Sequence, residues 1–507
     1  MNADICTIHV DGIPLDTLSK VQTYLKPFML SLEVLQQVSA RLERDLRRGL
    51  GRHSHHRAAV QMLPTFVTAT PDGTEKGDFL ALDLGGTNFR VLRVRVLEEE
   101  QRMVKMDSQI CAIPQDMMEG PGEKLFDHIA ACLGEFLKSQ NLQGKILPLG
   151  FTFSFPCHQK EIDKVSHTHS NDPVSVFCLT FCLCVCGEQS ILIRWTKGFQ
   201  CSGVEGHDVV QLLREAIQRQ GDYDVGSIAM VNDTVGTMMS CGYRDQSCEI
   251  GMIIGTGTNA CYMEEMKNVK RVDCTQGRMC INTEWGGFGD NGSLADIQTE
   301  FDVQVDKTSI NPGVHTFEKM ISGMYLGEIV RLILVKMTKD GLLFKGQASE
   351  ALLSPGGFET KYISHIEEEL SGLENGNKIL SNLGLAWEPV DVRVVRMVCD
   401  TVSSRSARLC AAALATLVNR MRVARGLERL KTTVGVDGSV YRKHPNFSAE
   451  LQATVRQLAP KCDVSYLLSE DGSGKGAAMV TAVALRLARE SRLLDDSDGE
   501  DSDDEEQ

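Results

Sequence analysis

Asp83 and Asp233 are the two carboxylates of this chain best placed for chemistry. Asp83 lies near the end of the apolar run Phe79-Leu-Ala-Leu-Asp-Leu84, just ahead of Gly85-Gly86-Thr87-Asn88. Two glycines let backbone N–H groups approach an anion with no Cβ in the way, and Thr87 and Asn88 add side-chain donors. A carboxylate beside such a turn would repel bare phosphate, so its use there is to hold Mg²⁺ through water. Taken alone, the segment reads equally as a hairpin turn with Asp83 capping the backbone. It does not stand alone. Met252-Ile-Ile254 runs into Gly255-Thr256-Gly257-Thr258-Asn259, and Thr433-Val-Gly-Val436 runs into Asp437-Gly438-Ser439. Three strand-then-glycine turns this far apart point to a nucleotide held between two lobes. Asp233 follows the apolar strand Ile228-Ala-Met-Val231, where a carboxylate can project into a cleft and take a proton from a hydroxyl nucleophile. Its local alternative is the N-cap of the next helix.

These side chains need elements to hold them. Leu32 to Gly49 predicts an amphipathic helix with Leu35, Val38, Leu42 and Leu46 on one face. Pro71-Asp-Gly73 is a turn leading to the strand that carries Asp83, and Phe89 to Val96 alternates as its partner. Leu125–Leu137 and Val209–Arg219 read as helices, and Lys145–Phe153 as a strand. Strands and helices are expected to alternate from Asp233 to about Leu383, followed by one or two long helices over Val392–Arg422. Gly472-Ser473-Gly-Lys-Gly476 opens a final helix to about Ala488. The tract fails as a Walker A loop, because Ser469 and Gly476 stand where Gly and Ser or Thr are required, and reads better as a glycine-rich helix start facing a phosphate.

With 507 residues, 42% of them apolar, the chain can bury a large core, and it has no apolar run long enough to span a bilayer. The start lacks a basic segment followed by an apolar core, so it is no secretory signal. Seventeen cysteines without a disulfide framework favour a reducing, cytosolic setting. A net charge of −15 argues against nucleic-acid binding, and nine acidic residues without a basic one from Asp495 to Gln507 predict a solvated tail.

Leu82-Asp-Leu-Gly-Gly-Thr-Asn-Phe-Arg90, Leu149-Gly-Phe-Thr-Phe-Ser-Phe-Pro156, Trp195-Thr-Lys-Gly-Phe199, Val231-Asn-Asp-Thr-Val-Gly-Thr237 and Asn282-Thr-Glu-Trp-Gly286 together resemble the hexokinases of the actin-like ATPase superfamily. The resemblance runs from about residue 16 to about residue 490 and is greatest to the vertebrate members, with one catalytic unit where several carry two. It implies a two-lobed α/β fold of the actin-like, ribonuclease-H-like class. The expected parts are a flexible start (1–15), a helical segment on the large lobe (16–75), a small lobe (76–231), a large lobe (232–472), a helix returning to the small lobe (473–490) and a disordered acidic tail (491–507). It implies ATP- and Mg²⁺-dependent phosphorylation of glucose or a related hexose at the 6-hydroxyl, with Asp233 as base and Lys197 favouring the transferring group. Sugar contacts are expected from Ser154, Thr196, Lys197, Asn232, Asp233, Asn259, Glu284 and Glu318. Asp83, Leu84, Gly85, Gly86, Thr87, Asn88 and Arg90, with Gly255, Thr256, Gly257 and Thr258, are expected about the phosphates. Thr360 and Ser364 are expected on the adenosine side, and Asp437, Gly438, Ser439 and Ser473 near adenosine or the sugar phosphate. Val314-His315-Thr316 and Gly287 depart from the pattern beside this set. A cytosolic monomer that closes on its sugar, with no mitochondrial docking segment in evidence, completes the expectation.

Residues 165–189 have no counterpart in that pattern, and joining Lys164 to Ser190 restores it. Val165-Ser166 at its start, Gln189 at its end and the Phe/Cys/Leu-rich stretch between them fit a short in-frame retained intron. A zinc site from His167, His169 and the nearby cysteines lacks a paired Cys-x-x-Cys. Lengthening the connection costs only about 0.9 kcal/mol of loop entropy, so the danger is a sticky segment that unseats Thr196 and Lys197. A sugar-binding chain impaired by this segment is therefore the alternative function.

Overall fold

The computed structural model describes residues 12–85, 88–97, 104–160, 189–195, 199–368, 373–469 and 472–500, without the side chains of 104–105, 159–160, 189 and 491–500. Its strands are β1 (Leu63–Pro64), β2 (Gly77–Leu84), β3 (Asn88–Val96), β4 (Val104–Ala112), β5 (Leu149–Phe153), β6 (Cys157–Lys160), β7 (Gln189–Leu192), β8 (Ile228–Val231), β9 (Cys248–Ile254), β10 (Thr258–Glu265), β11 (Arg278–Asn282), β12 (Leu430–Asp437) and β13 (Cys462–Leu468). One sheet has the order β4-β3-β2-β5-β8, and the other β11-β10-β9-β12-β13 with β1 added beside β11. In each, a three-stranded antiparallel meander is followed by two strands parallel to its first member. The connectivity is therefore the same twice. It places the β2–β3 turn at Gly85 and the β9–β10 turn at Gly255 in equivalent positions, as the two-lobed actin-like α/β fold requires.

The local sequence explains this layout. Phe79 to Leu82 and Leu84 are all buried, as expected of a central strand covered on both faces. On β3, Phe89, Val91, Val94 and Val96 are buried while Arg90, Arg93 and Arg95 are half-buried. The helix over Leu32–Leu50 buries Leu35, Val38, Leu42 and Leu46 completely, and the Ser31 hydroxyl accepts from the Val34 N–H at its start. The helices after β8 and β13, Asp233–Gly242 and Gly472–Glu500, cross each other between the sheets at Gly236 and Gly476.

Two expectations change, and the one-or-two helices expected over 392–422 are narrowed to one. Between Asn282 and Leu430 the described residues hold helices and no strand, so the alternation expected to Leu383 stops at β11. The apolar stretch in Gly323–Lys339 is a helix buried nearly all round, which a short apolar run cannot distinguish from a strand. Pro389–Ala424 is one unbroken helix of 36 residues with Pro389 in its first turn. The last helix continues to Glu500, past Ala488 and into the acidic end, which contains no proline to stop it. No helix among the described residues is long and apolar enough to cross a membrane.

β6 and β7 form an antiparallel hairpin in which Lys160 pairs with Gln189. Residues 165–188 of the anomalous segment lie outside the described residues, but both ends of the connection meet at this hairpin. Removing 165–189 leaves residues 160–164 to link Gln159 to Ser190, which are already paired. Five residues are enough for a hairpin loop.

The large-sheet side is fastened by Arg405, fully buried, whose two terminal nitrogens each donate to Asp302 at 2.7 Å while the guanidinium lies 4.4 Å from the Phe28 ring centre. Burial alone would raise the Asp302 carboxyl, but Arg405 and the Thr299 donors outweigh it and hold it below its usual range. Arg405→Ala should cost about 3–5 kcal/mol in chemical denaturation, since it strands a buried carboxylate. A group depressed on folding stabilises above its unfolded value and loses that contribution as pH falls through the folded one. The native-to-variant difference should therefore shrink in acid, below about pH 4, and a pH-independent difference would count against this account.

Candidate active site

The cleft between the two sheets collects most of the expected residues. Ser154, Asn232, Asp233, Asn259, Glu284 and Glu318 line one cavity of about 90 Å³, together with Thr256, Gly257, Thr258, His315 and Tyr325. Ser154 is held at the end of β5 by its N–H, which donates to the Leu84 carbonyl. Asn232 supplies the helix cap, its Oδ1 accepting from the Thr234 N–H at 2.9 Å and the Thr234 hydroxyl at 2.7 Å. Asp233 is the first helical residue, so the capping alternative falls to its neighbour.

Glu284 sits at φ 52°, ψ 46°, a left-handed conformation costly for a residue with a side chain and common where function constrains the backbone. Its Oε1 accepts from Asn282 at 2.8 Å and Asn259 at 3.2 Å, so two amides aim the carboxylate. Asn282 was not among the expected site residues, although it opens the Asn-Thr-Glu-Trp motif. Glu318 is fixed by the Thr258 N–H, which donates to Oε2 at 2.9 Å. An added Cβ at Gly257 would stand 2.7 Å from that same oxygen, so the glycine makes room for it. Burial, then the nearby charge of Glu318, pushes Tyr325 up to about 12 and keeps its hydroxyl protonated.

Beside Gly85, Asp83 faces Arg90 across the β2–β3 ladder. Arg90 donates to Asp83 Oδ2 at 2.7 Å, and the Ser473 hydroxyl donates to the same oxygen at 2.6 Å. Asp83 Oδ1 lies 4.0 Å from where a Gly85 side chain would begin, on the side of the turn. Asn88 begins β3 and is exposed. Gly438, at φ 111°, packs its backbone on Ile254 and Gly255, bringing Ser439 beside the Gly255 turn. Burial lifts the Asp437 carboxyl above its ordinary range; Gly438 and Arg442 oppose the rise, and the negative charge of Asp233 adds to it.

Some residues expected as contacts are also tied within the fold. Leu84 is buried, and its carbonyl is taken by Ser154. The Thr258 hydroxyl donates to Ile253 O and accepts from the Trp285 indole, and its N–H is held by Glu318. The Thr360 hydroxyl donates to the Gly323 carbonyl at 2.6 Å and accepts from the Gly327 N–H at 2.9 Å. Ser364 lies one turn further along that helix, Thr360–Glu368. Gly86, Thr87, Thr196 and Lys197 lie outside the described residues, but Trp195 and Phe199 on either side of the last pair stack on each other at 5.3 Å and pack against Phe153 and Phe155.

No group of three or more His, Cys, Asp or Glu side chains suited to a metal occurs among the described residues. A single carboxylate beside a glycine turn fits Mg²⁺, which keeps several waters and binds through one or two carboxylates.

Comparison with known proteins agrees with this geometry. Two family models, both described as hexokinase, match residues 249–483 and residues 20–169 with 177–243. The second match breaks at 170–176, inside the anomalous segment. Hexokinase-2 of Rattus norvegicus is 56% identical over 475 residues, covering 94% of this chain and 49% of the relative. Hexokinase-1 of Homo sapiens is 52% identical over 482 residues, covering 95% and 50%. The chain thus spans about half the length of the curated relatives it matches. Among solved structures, a Schistosoma mansoni hexokinase complexed with glucose superposes with a TM-score of 0.82 at 38% identity, covering 92% of this chain and 99% of that one. A second hexokinase crystal structure gives 0.74 at 30% identity, covering 93% and 99%. With the duplicated sheet, the paired glycine turns and the carboxylate-lined cavity between them, the chain belongs to the hexokinase family.

Proposed function

We propose that the chain transfers the terminal phosphoryl group of ATP to the 6-hydroxyl of glucose or a related hexose, as a cytosolic, monomeric enzyme. The observation that carries this reading is the cavity in which Asp233 stands with Ser154, Asn232, Asn259, Glu284 and Glu318. A hexose presents several hydroxyls that must all be paired once water is expelled, and carboxylates and amides suit vicinal hydroxyls because each binds bidentately. Asp233 accepts the proton of the attacking hydroxyl. The Gly85 and Gly255 turns cradle the phosphates, with Asp83 holding Mg²⁺ through water; the bound ion neutralises charge on the phosphates. Arg90 and Ser473 keep Asp83 Oδ2 in place and leave Oδ1 toward the turn. Lys197 favours the transferring group electrostatically, and Thr196 takes a sugar hydroxyl. Closure of the lobes on the sugar completes the arrangement and protects ATP from water.

A coupled assay of hexose- and ATP-dependent sugar phosphate formation tests the reading. ATP turnover that ignores the sugar would replace it with a chaperone- or actin-type ATPase. The anomalous segment supports a second reading, a sugar-binding chain of impaired activity. A variant lacking 165–189 should fold, because Gln159 and Ser190 are already paired, and should be more soluble with tighter glucose binding. Equal solubility and equal affinity in the two forms would remove the segment from the account.

A further inference from the structure

A groove of about 560 Å³ lies outside the cleft, between the helices Leu32–Leu50 and Pro389–Ala424 and the segment that follows β10. That volume suits a small organic molecule. Arg420 lines it, with a side chain only 8% exposed. Its Nε donates to the Tyr262 hydroxyl at 3.0 Å and to Glu264, and its Nη1 donates to Glu43 Oε1 at 3.0 Å. Glu264 is saturated, since Tyr262, Asn268 and the Glu265 N–H also donate to it. Nη2 of Arg420 has no partner among the described residues. A donor of a buried guanidinium left without an acceptor calls for one, and this one belongs to a residue on the wall of a groove.

Two more cations line the groove. Arg47 donates through Nε to Glu43 at 2.7 Å, and its terminal nitrogens, like the Lys270 ammonium, have no partner among the described residues. Arg47, Lys270 and Arg420 outnumber Glu43 and the underlying Glu264, so the groove is locally positive in a chain whose net charge is −15. Both helices end here, and a helix C-terminus favours a cation. The carbonyls of Leu50, Met421, Arg422 and Val423, however, already accept from the N–H groups of Lys270, Arg425, Leu427 and Gly426. The lining also includes aliphatic groups, among them Leu50 and Val423, and Val423 is 61% exposed. We propose that this groove binds a small organic oxyanion, a carboxylate or phosphate monoester with an apolar body. Arg420 Nη2, Lys270 and Arg47 take its oxygens, and Val423 and Leu50 take its body. Guanidinium suits both kinds of oxyanion, because its planar donors match carboxylate and phosphate alike. The site stands apart from the hexose reading of the cleft.

The test is calorimetric titration of the full chain with phenyl phosphate, benzoate and inorganic phosphate. Phenyl phosphate or benzoate should bind the native chain more tightly than inorganic phosphate, which has no body to lie on Val423. Arg420→Lys keeps a cation against Glu264 and Glu43 but removes the Nη2 donor, and should weaken the aromatic anion roughly tenfold or more. Lys270→Glu and Val423→Glu alter exposed residues and leave the buried network alone, so they guard against a folding defect in the Arg420 variant. Each places a negative charge at the groove and should weaken the same anion by a similar factor. All three positions lie outside the cleft, so a loss in them locates the site. The proposal is overturned if neither aromatic anion binds, or if inorganic phosphate binds as tightly as they do. It is overturned equally if all three variants bind like the native chain, which would put the anion in the cleft instead.

Discussion

Asp233→Ala should lower kcat by roughly 10²–10⁴-fold, the usual worth of a positioned general base, while glucose still binds within a small factor. The split follows from where the residue sits. Asn232, not Asp233, caps the helix, so removing the Asp233 carboxylate leaves the Thr234 donors satisfied and the helix start intact. The other cavity-lining groups are held independently: Glu284 by Asn259 and Asn282, Glu318 by Thr258, and Ser154 by Leu84. Binding should therefore survive when proton transfer does not. Asp233→Asn sharpens the test, because it keeps the size and an acceptor oxygen but cannot take the proton, and it should lose nearly as much in kcat. The coupled assay reads the rate and calorimetry reads the glucose affinity. Activity within tenfold of native in both variants would mean that another group is the base, and the assignment would fail.

Much of this site was legible because glycine turns and carboxylates at strand ends leave local marks. The strand end at Leu84, the strand start at Asn88, the Gly255–Asn259 turn, the Asp233 strand end and the Leu32–Leu50 helix lie where periodicity and turn chemistry put them. What stayed hidden is how donors are shared across distant segments. Nothing local to Thr258 reveals that Trp285 and Ile253 occupy its hydroxyl, and nothing near Thr360 reveals the Gly323 carbonyl. Those partners are set by tertiary packing, so residues read as ligand contacts also carry internal ties. The helical stretch from Glu300 to Asn382 was misread for a related reason: fully buried helices lose the polar face that gives the helical period its contrast. His315 stood out only as a departure from a pattern, and its buried Nε2, without a partner among the described residues, needed three dimensions to be seen.

The connection between fold and chemistry is testable at Gly476, and there the expected effect is again large. A Cβ at that position would lie 1.9 Å from the Gly236 carbonyl oxygen and 2.3 Å from the Gly236 Cα. Both atoms are helix backbone, so neither can swing aside, and the helices must separate. Ala is worth about 0.5–1 kcal/mol more than Gly within a helix, too little to offset an overpacking cost of about 1–3 kcal/mol or more. The displacement reaches the site from both helices, because Asp233 lies three residues before Gly236 and Ser473, which holds Asp83, lies three before Gly476. A misplacement of about 1 Å can cost about 10²-fold in rate, and Gly476→Ala should show a loss of that order in kcat together with a lowered denaturation midpoint. Gly474 supplies the comparison on the same helix. Its added Cβ would meet Leu92 Cδ1 at 2.6 Å, the far end of a side chain that can rotate away. Gly474→Ala should therefore stay within a few-fold of native activity. Equal losses in the two variants would show that the helix crossing does not position Asp233 and Ser473, and the coupling between packing and catalysis argued from it would have to be given up.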